Sequence, residues 1–489
     1  MELTDLLNSV NAITVLGEVQ RQDVGSIEYD SRKVKKNSVF AAIKGHRTDG
    51  HKFIIDAINN GAIAVVLEDD NAVPNEIFIH RKAAKIMVHN SRIALAELSK
   101  GFYKNPSSKI NLIGITGTNG KTTTAFFLKH ILEYTGSKSG LMGTISNYIH
   151  DEIIDSSLTT PESNDLNSFL YRMISKGCTH AVMEVSSHSL ELNRVYGLDF
   201  KCGIFTNITS DHLDFHNSFE NYLNAKKILF DSLGENSFAI VNADDPNSVS
   251  ITKKTKAKII SYGISDTADY RVYDIHFDLS GTKFKIINGS NEYSISTSLI
   301  GTFNAYNASA AFSTAVSLGI DADIIIDAIR TAPQVPGRFE VIGSGSKKII
   351  VDYSHTADSL RQALFAIREL VGSNMNIITV FGCGGDRDTT KRPEMGRIAS
   401  ELSDEIIITS DNPRTEDPFK IIDDIKAGIL KSNYKVIENR EEAIGLTVKS
   451  APDNSVILIA GKGHETYQEI NGVRNHFSDQ EIAKKYLNE

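Results

Sequence analysis

Short apolar runs alternate with helix-length amphipathic segments along most of the chain, the pattern of strands and helices layered on a largely parallel sheet. In the first 108 residues "SVFAAI" reads as a strand, "HKFIIDAINNGAIAVVLE" as a helix followed by a strand, and "KNPSSK" as a linker. From residue 109 the alternation is regular: "INLIGIT" with a helix after Lys121, "DLNSFLYRMISKG" before "HAVMEVSS", "CGIFTNIT" before "SFENYLNAKKILFDSL", then "SFAIVNADD". Continuous apolar strands between helices predict a parallel sheet covered on both faces. Residues 268–300 alternate apolar and polar positions instead, as in "YRVYDIHFDLS" and "TKFKIING", which predicts antiparallel strands. A helix follows in "FNAYNASAAFSTAVSLG". After "PQVPGRFEV" a second βα series begins, with strands in "KKIIVDYSH", "NIITVFGCGG", "EIIITSDNPR" and "SVILIAGKGHE". Each of these runs into a turn rich in Gly, Asp, His or Arg, and in open α/β sheets ligands gather beyond the carboxyl ends of strands.

The expected fold class is therefore α/β, divided at residues 1–108, 109–337 and 338–489. A length of 489 residues agrees with about three domains at roughly 150 residues each. Three widely separated cysteines, Cys178, Cys202 and Cys383, make neither a metal pattern nor a disulfide framework, so a reducing, cytoplasmic setting is expected. The start "MELTDLLNSVNAITVLG" lacks the basic region and long apolar core of a secretory signal, and no segment approaches the roughly 20 apolar residues of a membrane span. A net charge of −9 disfavours a general nucleic-acid surface but not small anionic substrates, which respond to local cations and helix ends. The chain is expected to act as a monomer.

The segment "GITGTNGKTTT" has a strand before it and a helix after it, the context of a phosphate-binding loop. The common spacing G-x-x-x-x-G-K-[ST], counted back from Gly120, demands glycine where Ile115 stands, and Gly114 and Gly117 flank that place. Gly117 and Gly120 would bring backbone N–H groups to phosphate oxygens, Lys121 would bridge the β- and γ-phosphates, and Thr122 would hold magnesium. A Gly-rich turn with no ligand is the plain alternative. Glu184, ending "HAVME", is placed to hold a metal or a water beside the phosphates, or is simply solvated. At about 100° per residue, Phe219, Tyr222, Leu223, Leu229 and Phe230 form one helical stripe with Lys226 near its middle and Lys227 toward its edge. An inward lysine either snorkels past its neighbours or is paired, deprotonated or modified. A carbamate formed with carbon dioxide would turn that cation into a metal ligand, with His212 of "SDHLD" as a candidate second ligand. Asn304, Arg338, Asp352 and His355 fall in turns around the second boundary, where an interdomain cleft could clasp a nucleotide. Arg387 and Arg414 follow two strands of the last series, and a guanidinium fork suits a carboxylate. With Glu465 of "GKGHE" as acceptor for an ammonium group, they suggest a zwitterionic amino-acid site.

The ordered set "GTNGKTTT", "EVSSH", "SDHLDFH" with "AKK", "GTFNAYN", "GRFE", "DYSHTADSL", "FGCGGDRD", "DNPRTEDP" and "GKGHE" resembles the Mur ligases. Within them it is most similar to the UDP-N-acetylmuramoyl-L-alanyl-D-glutamate ligases, which add the third residue of the peptidoglycan stem peptide. The resemblance runs from about residue 25 to about 480. It implies a UDP-sugar domain, a central ATPase domain whose loop is G-T-N-G-K-[ST], and a Rossmann-like domain for the incoming amino acid. It places ATP on Gly117, Thr118, Asn119, Gly120, Lys121, Thr122 and Thr123, supported by Asn304, Arg338 and Asp352. Catalytic roles fall on Lys121, Glu184, His212 and Lys226. Thr122 and Glu184 would hold one magnesium (Mg2+), and His212 with carbamylated Lys226 would help hold another. The UDP-N-acetylmuramoyl dipeptide would meet Ser31, His46, Arg47, Thr48, Thr159, Thr160, Ser186 and Arg194; where some members carry Gln two residues before that Arg, this chain has Leu192. Arg387, Asp411, Asn412, Pro413, Arg414, Gly461 and Glu465 would form the amino-acid pocket. "DNPR" is associated with meso-diaminopimelate, whose distal carboxylate Arg414 can bind and lysine lacks. The implied reaction is ATP-dependent amide formation through an acyl phosphate; a lysine-adding enzyme and a silent binding protein on the same scaffold are the alternatives.

Overall fold

The computed structural model describes residues 1–488 apart from residues 18, 20, 21, 46, 47, 210–212, 344–346 and 373. Three main sheets follow one another along the chain, and the expected α/β class is observed. In the first sheet, Ser38–Ala41, Ala62–Leu67 and Ala84–Val88 run parallel as buried apolar strands, and Ala12–Leu16 pairs antiparallel at one edge. The second sheet has eleven strands around a parallel centre. There Asn111–Thr116 lies between Phe200–Phe205 and His180–Glu184, with Phe238–Asn242 and Ser139–Met142 outside them. Ile115, where the common loop pattern wanted glycine, is a core residue of this central strand.

Tyr270–Asp278, Gly281–Asn288 and Asn291–Thr297 extend that sheet as the expected antiparallel strands. A hairpin of Ser146–Ile149 and Glu152–Asp155, not foreseen from the pattern, closes the opposite edge. In the third sheet Lys348–Asp352, Ser455–Ala460, Asn376–Phe381, Glu405–Ile408 and Tyr434–Val436 are parallel in that spatial order, and Glu340–Ile342 is antiparallel at the edge. The "KNPSSK" segment is a short 3-10 turn with Pro106 and Ser107 buried, because it packs under the helix Ser163–Ser175 instead of lying free as a linker.

The helix Phe219–Asp231 turns Tyr222, Lys226, Leu229 and Phe230 inward as the periodicity predicted. Phe219, at its first turn, is instead 38% exposed, since the apolar stripe has not yet met the sheet there. Among the described residues no helix is long and apolar enough to cross a membrane.

The sheets are joined by specific polar contacts. Tyr29 donates to Asp165 at 2.5 Å, Asn164 donates to the Ile27 carbonyl at 2.8 Å, and Arg92 pairs with Glu162 at 3.1 Å. Between the second and third sheets Arg338 donates to Thr122 at 3.2 Å, while Asn119 and Thr209 both donate to Asp358, at 3.3 and 3.2 Å.

The third sheet also contains an ion pair with no exposure on either side: Arg440 donates to both oxygens of Asp479 at 2.8 Å and to the Ala460 carbonyl at 2.9 Å. Two parallel N–H···O bonds compensate the desolvation of both charges, so removing one partner strands the other. Asp479→Ala is expected to destabilise the C-terminal unit by about 3–5 kcal/mol. Thermal or urea unfolding checks this, and a melting curve like that of the parent chain contradicts it.

Candidate active site

Every strand near the centre of the second sheet delivers a polar residue at its carboxyl end. Asn111–Thr116 leads into the Gly-Lys loop, Ser139–Met142 into Gly143 and Thr144, His180–Glu184 ends on Glu184, and Phe200–Phe205 leads into Thr206 and Asn207. The loop is held by its neighbours: Thr118 N–H donates to the Asn207 carbonyl at 2.8 Å, Asn119 N–H to Asn207 Oδ1 at 2.9 Å, and Thr206 Oγ1 donates to the Asn119 carbonyl at 2.6 Å. Gly120 has φ 85°, a left-handed conformation that favours glycine, and a Cβ there would overlap Asn307 Oδ1. The helix Lys121–Tyr134 starts at once, so its unsatisfied N–H groups and positive dipole end face the loop. Lys121 Nζ donates to the Gly117 and Thr118 carbonyls at 2.8 Å, folded back over the loop it would share with phosphates.

Glu184 is 1% exposed and saturated with donors. Its Oε2 accepts from Thr122 Oγ1 at 2.9 Å and Thr144 Oγ1 at 3.0 Å, and its Oε1 from Thr144 N–H at 2.8 Å. Gly143 has no side chain because a Cβ would strike that carboxylate. Beyond it Thr144 and Thr159 hydroxyls lie 3.1 Å apart, Thr160 donates to the Glu184 carbonyl at 2.8 Å, and Ser186 N–H donates to Thr160 Oγ1 at 3.0 Å. Arg194 reaches the Thr160 carbonyl at 3.1 Å and pairs with Glu162 at 2.9 Å. The expected sugar-peptide residues Thr159, Thr160, Ser186 and Arg194 are thus linked to Glu184 by one set of hydrogen bonds. Ser31 opens the 3-10 turn Ser31–Lys33 and is buried, and Thr48 lies exposed in the loop that follows the strand Ser38–Ala41; His46 and Arg47 lie outside the described residues.

Lys226 is 1% exposed, with its Nζ 4.2 Å from the centroid of the Tyr222 ring, and the Tyr222 hydroxyl is 3.0 Å from Thr118 Oγ1. The inward lysine therefore sits one ring away from the loop. His212 lies outside the described residues, and among the described residues no group of three or more His, Cys, Asp or Glu side chains is arranged to hold a metal.

Asn304 is turned inward, donating to the Ile300 carbonyl at 2.9 Å and accepting from Asn307 at 3.1 Å. Asn307, one turn later, is the side chain beside Gly120. Arg338 stacks over Tyr353, 4.6 Å from its centroid, and donates to Thr122. Asp352 accepts from Phe339 N–H at 2.7 Å and from the Ser354 hydroxyl, and burial raises its pKa above the usual carboxylate value. Burial, reinforced by the Arg338 charge, lowers the His464 imidazole to about 3, so this ring stays neutral at any ordinary pH.

The turns of the third sheet meet at its carboxyl edge. Arg414, at φ 53°, donates from Nη1 to the Gly385 carbonyl at 2.6 Å, and exposed Arg387 lies on the adjoining turn. Asn412 Nδ2 donates to Glu465 Oε2 at 2.8 Å, Asp411 lies against Gly461, and Pro413 is buried against Gly385. Burial pushes the Glu465 carboxyl up, and the neighbouring Lys462 charge opposes that shift. Two surface cavities of about 320 and 250 Å3 are lined by other residues, among them Gln334, Glu340 and Lys484 in one and Ile55, Ile77 and His80 in the other. The candidate site is thus marked by side-chain chemistry at strand ends, away from these two cavities.

Family models match in chain order: the Mur ligase family catalytic domain over residues 23–103, the Mur ligase middle domain over 115–315, and the Mur ligase glutamate ligase domain over 337–463. A UDP-N-acetylmuramoyl-L-alanyl-D-glutamate--2,6-diaminopimelate ligase of Clostridium botulinum is 44% identical over 96% of both chains. The chain belongs to the Mur ligase family. A ligase of the same description from Bacillus licheniformis is 40% identical over 100% of this chain and 99% of its own. A solved structure of such a ligase superposes with a TM-score of 0.71 at 33% identity, covering 100% of this chain and 99% of that one. A MurF ligase of Thermotoga maritima in complex with ADP shares the fold, with a TM-score of 0.64 at 20% identity over 95% and 98% of the two chains.

Several residues of this candidate site were not singled out in the sequence, Asp358 and Lys462 even though they lie within "DYSHTADSL" and "GKGHE". Thr144 supplies two of the bonds on Glu184; a Gly-Thr pair just after a strand was the available signal. Asp358 ties the loop to the third sheet, and Lys462 joins Asn412 to Glu465 at 3.0 and 3.1 Å. Replacing Gly120 forces a side chain into a left-handed turn and against Asn307. Gly120→Ala is expected to weaken ATP binding at least about tenfold while the fold melts cooperatively. Nucleotide titration by calorimetry checks this, and parental affinity contradicts it.

Proposed function

We propose that the chain is the ligase that joins meso-2,6-diaminopimelate to the γ-carboxylate of the D-glutamyl residue of UDP-N-acetylmuramoyl-L-alanyl-D-glutamate, with ATP as co-substrate. The observation that carries this reading is the arrangement at the strand ends. A Gly-Lys loop at a helix start meets the third unit through the Arg338–Thr122 hydrogen bond, and the carboxyl edge of that unit's sheet carries two guanidiniums and two carboxylates. The full-length similarity to ligases of that description supports it. The division at 1–108, 109–337 and 338–489 is part of the proposal, with each of the three main sheets inside one unit. So is a cytoplasmic, monomeric enzyme, in keeping with three free, buried cysteines.

In this reading the γ-carboxylate attacks the γ-phosphorus of ATP and ADP leaves, giving an acyl phosphate. The amine of diaminopimelate then attacks the acyl carbon, and phosphate leaves from the tetrahedral intermediate. Phosphoryl transfer demands positioning and charge neutralisation. The N–H groups from Gly117 to Thr123 and the Lys121 ammonium hold the phosphates, and Arg338 adds a positive charge beside Thr122. Asp352 and Asn304 support the nucleotide side of the cleft, Asn304 through Asn307. Thr122 and Glu184 offer hard oxygen donors 2.9 Å apart, a set that suits Mg2+, which would supply further charge neutralisation at the phosphates. Lys226, buried beside the loop, would contribute as a carbamate together with His212. Ser31, His46, Arg47, Thr48, Thr159, Thr160, Ser186 and Arg194 would hold the sugar-peptide. Arg414 and Arg387 would grip the carboxylate that lysine lacks, with Asp411, Asn412, Pro413, Gly461 and Glu465 around the ammonium end.

An amino-acid panel under saturating ATP, magnesium and UDP-muramyl dipeptide tests the reading. Phosphate release should require an amino acid and favour meso-diaminopimelate over L-lysine. Arg414→Ala should raise the KM for diaminopimelate about a hundredfold by removing a desolvated charge partner. Release without any amino acid, preference for lysine, or tight binding without turnover would each contradict it, the last two in favour of a lysine-adding enzyme and a silent binding protein respectively.

A further inference from the structure

Lys462 lies in the turn after Ser455–Ala460 and has no exposed surface. A lysine is seldom so fully buried without a partner for its charge. Its Nζ donates to Asn412 Oδ1 at 3.0 Å and Glu465 Oε2 at 3.1 Å, and it stands 5.4 and 5.9 Å from the rings of Tyr467 and Phe477. Asn412 closes the triangle, its Nδ2 donating to the same Glu465 oxygen at 2.8 Å while its Oδ1 also accepts from Glu469 N–H at 2.9 Å. These bonds fix which way the Asn412 amide faces. Both side-chain bonds to Glu465 fall on Oε2, which leaves Oε1 for an incoming donor.

We infer that Lys462 is a positioning residue of the amino-acid pocket, holding Asn412 and Glu465 in one geometry and keeping Glu465 an anionic acceptor for the ammonium group of the amino acid. The inference rests on the reading of this pocket given above. No motif singled out Lys462, because the surrounding "GKGHE" draws attention to its glycines and its glutamate.

The charged and titratable groups around Glu465 are Lys462 on its own turn, Asp411 from the neighbouring strand end, Tyr353 just after the strand Lys348–Asp352, Tyr467 on the following hairpin, and Arg440 beneath. Burial raises the Glu465 carboxyl and Asp411 raises it further, while the Lys462 ammonium opposes both. Without that charge Glu465 takes up its proton at a higher pH and ceases to be an anionic acceptor there. Amino-acid binding then fails on the acid side sooner.

Calorimetric titration of meso-diaminopimelate into the full chain from pH 5 to 9, with ATP binding measured in parallel, tests this. In Lys462→Met, close to lysine in length but uncharged, the Kd at pH 7 should rise about tenfold and the acid-side weakening should move up by about one pH unit. Lys462→Arg, which keeps the charge, should weaken near the parental pH, and ATP affinity should stay within about twofold in both. A Lys462→Met variant with parental Kd and pH dependence would overturn the inference. So would an equal loss of ATP affinity, which marks a structural role. If Lys462→Met shows no cooperative melting, the Lys462→Arg profile decides: a weakening held at the parental pH supports the role of charge, and a displaced one overturns it. If the parent chain binds ATP but no diaminopimelate at any pH, the pocket reading itself fails, an outcome distinct from failure of Lys462 alone.

Discussion

The buried carboxylate of Glu184 is the point on which the rest of the site depends. At 1% exposure a carboxylate must find donors, and it finds three of them on two separate pieces of chain: the Thr122 hydroxyl at the first turn of the loop helix, and the backbone N–H and hydroxyl of Thr144. Its own backbone carbonyl takes a fourth bond, from Thr160. One side chain at one strand end therefore sets the spacing between the phosphate loop, the turn after Ser139–Met142 and the expected sugar-peptide surface. Arg338 reaches the same Thr122 hydroxyl from the third unit, and Asp358 accepts from Asn119 and Thr209, so the nucleotide loop is held against the third unit at two points.

The third sheet repeats the strategy with opposite polarity. Where the second sheet buries an anion among hydroxyls, the third buries the Lys462 cation beneath the carboxylate and amide of its pocket. In both, a charge that would be well solvated at the surface is held by a neighbour distant in sequence, Thr122 or Thr144 in one and Asn412 in the other. The result is a rigid geometry at the ends of strands, where a parallel sheet leaves room for ligands.

Much of this was legible in the chain. Continuous apolar strands between helices announced the two parallel sheets, alternation in residues 268–300 announced the antiparallel strands, and helical periodicity turned Lys226 inward. Ile115 made the loop look defective only under the wrong spacing; it is a core residue of the central strand. What stayed hidden depends on contacts that no local pattern encodes. Thr144 is 40 residues from Glu184, and Asp358 is 239 from Asn119. Asn304 stood in a recognisable motif yet spends its amide on the Ile300 carbonyl and on Asn307, leaving Asn307 beside the loop. Phe219 fitted the apolar stripe but precedes the point where the helix meets the sheet. Lys462 sat inside "GKGHE" without being assigned a role, since its partner Asn412 is 50 residues away.

Glu184→Gln most directly tests whether this carboxylate organises catalysis as well as structure. The amide can still accept from Thr144 N–H, so the fold should persist and ATP should still raise the melting temperature. Single-turnover phosphate release with all three substrates saturating is predicted to fall about a hundredfold or more, because the anionic oxygen donor that would hold Mg2+ at the phosphates is lost. Release at the parental rate, in a variant that binds ATP and melts like the parent, would contradict the central role assigned to Glu184.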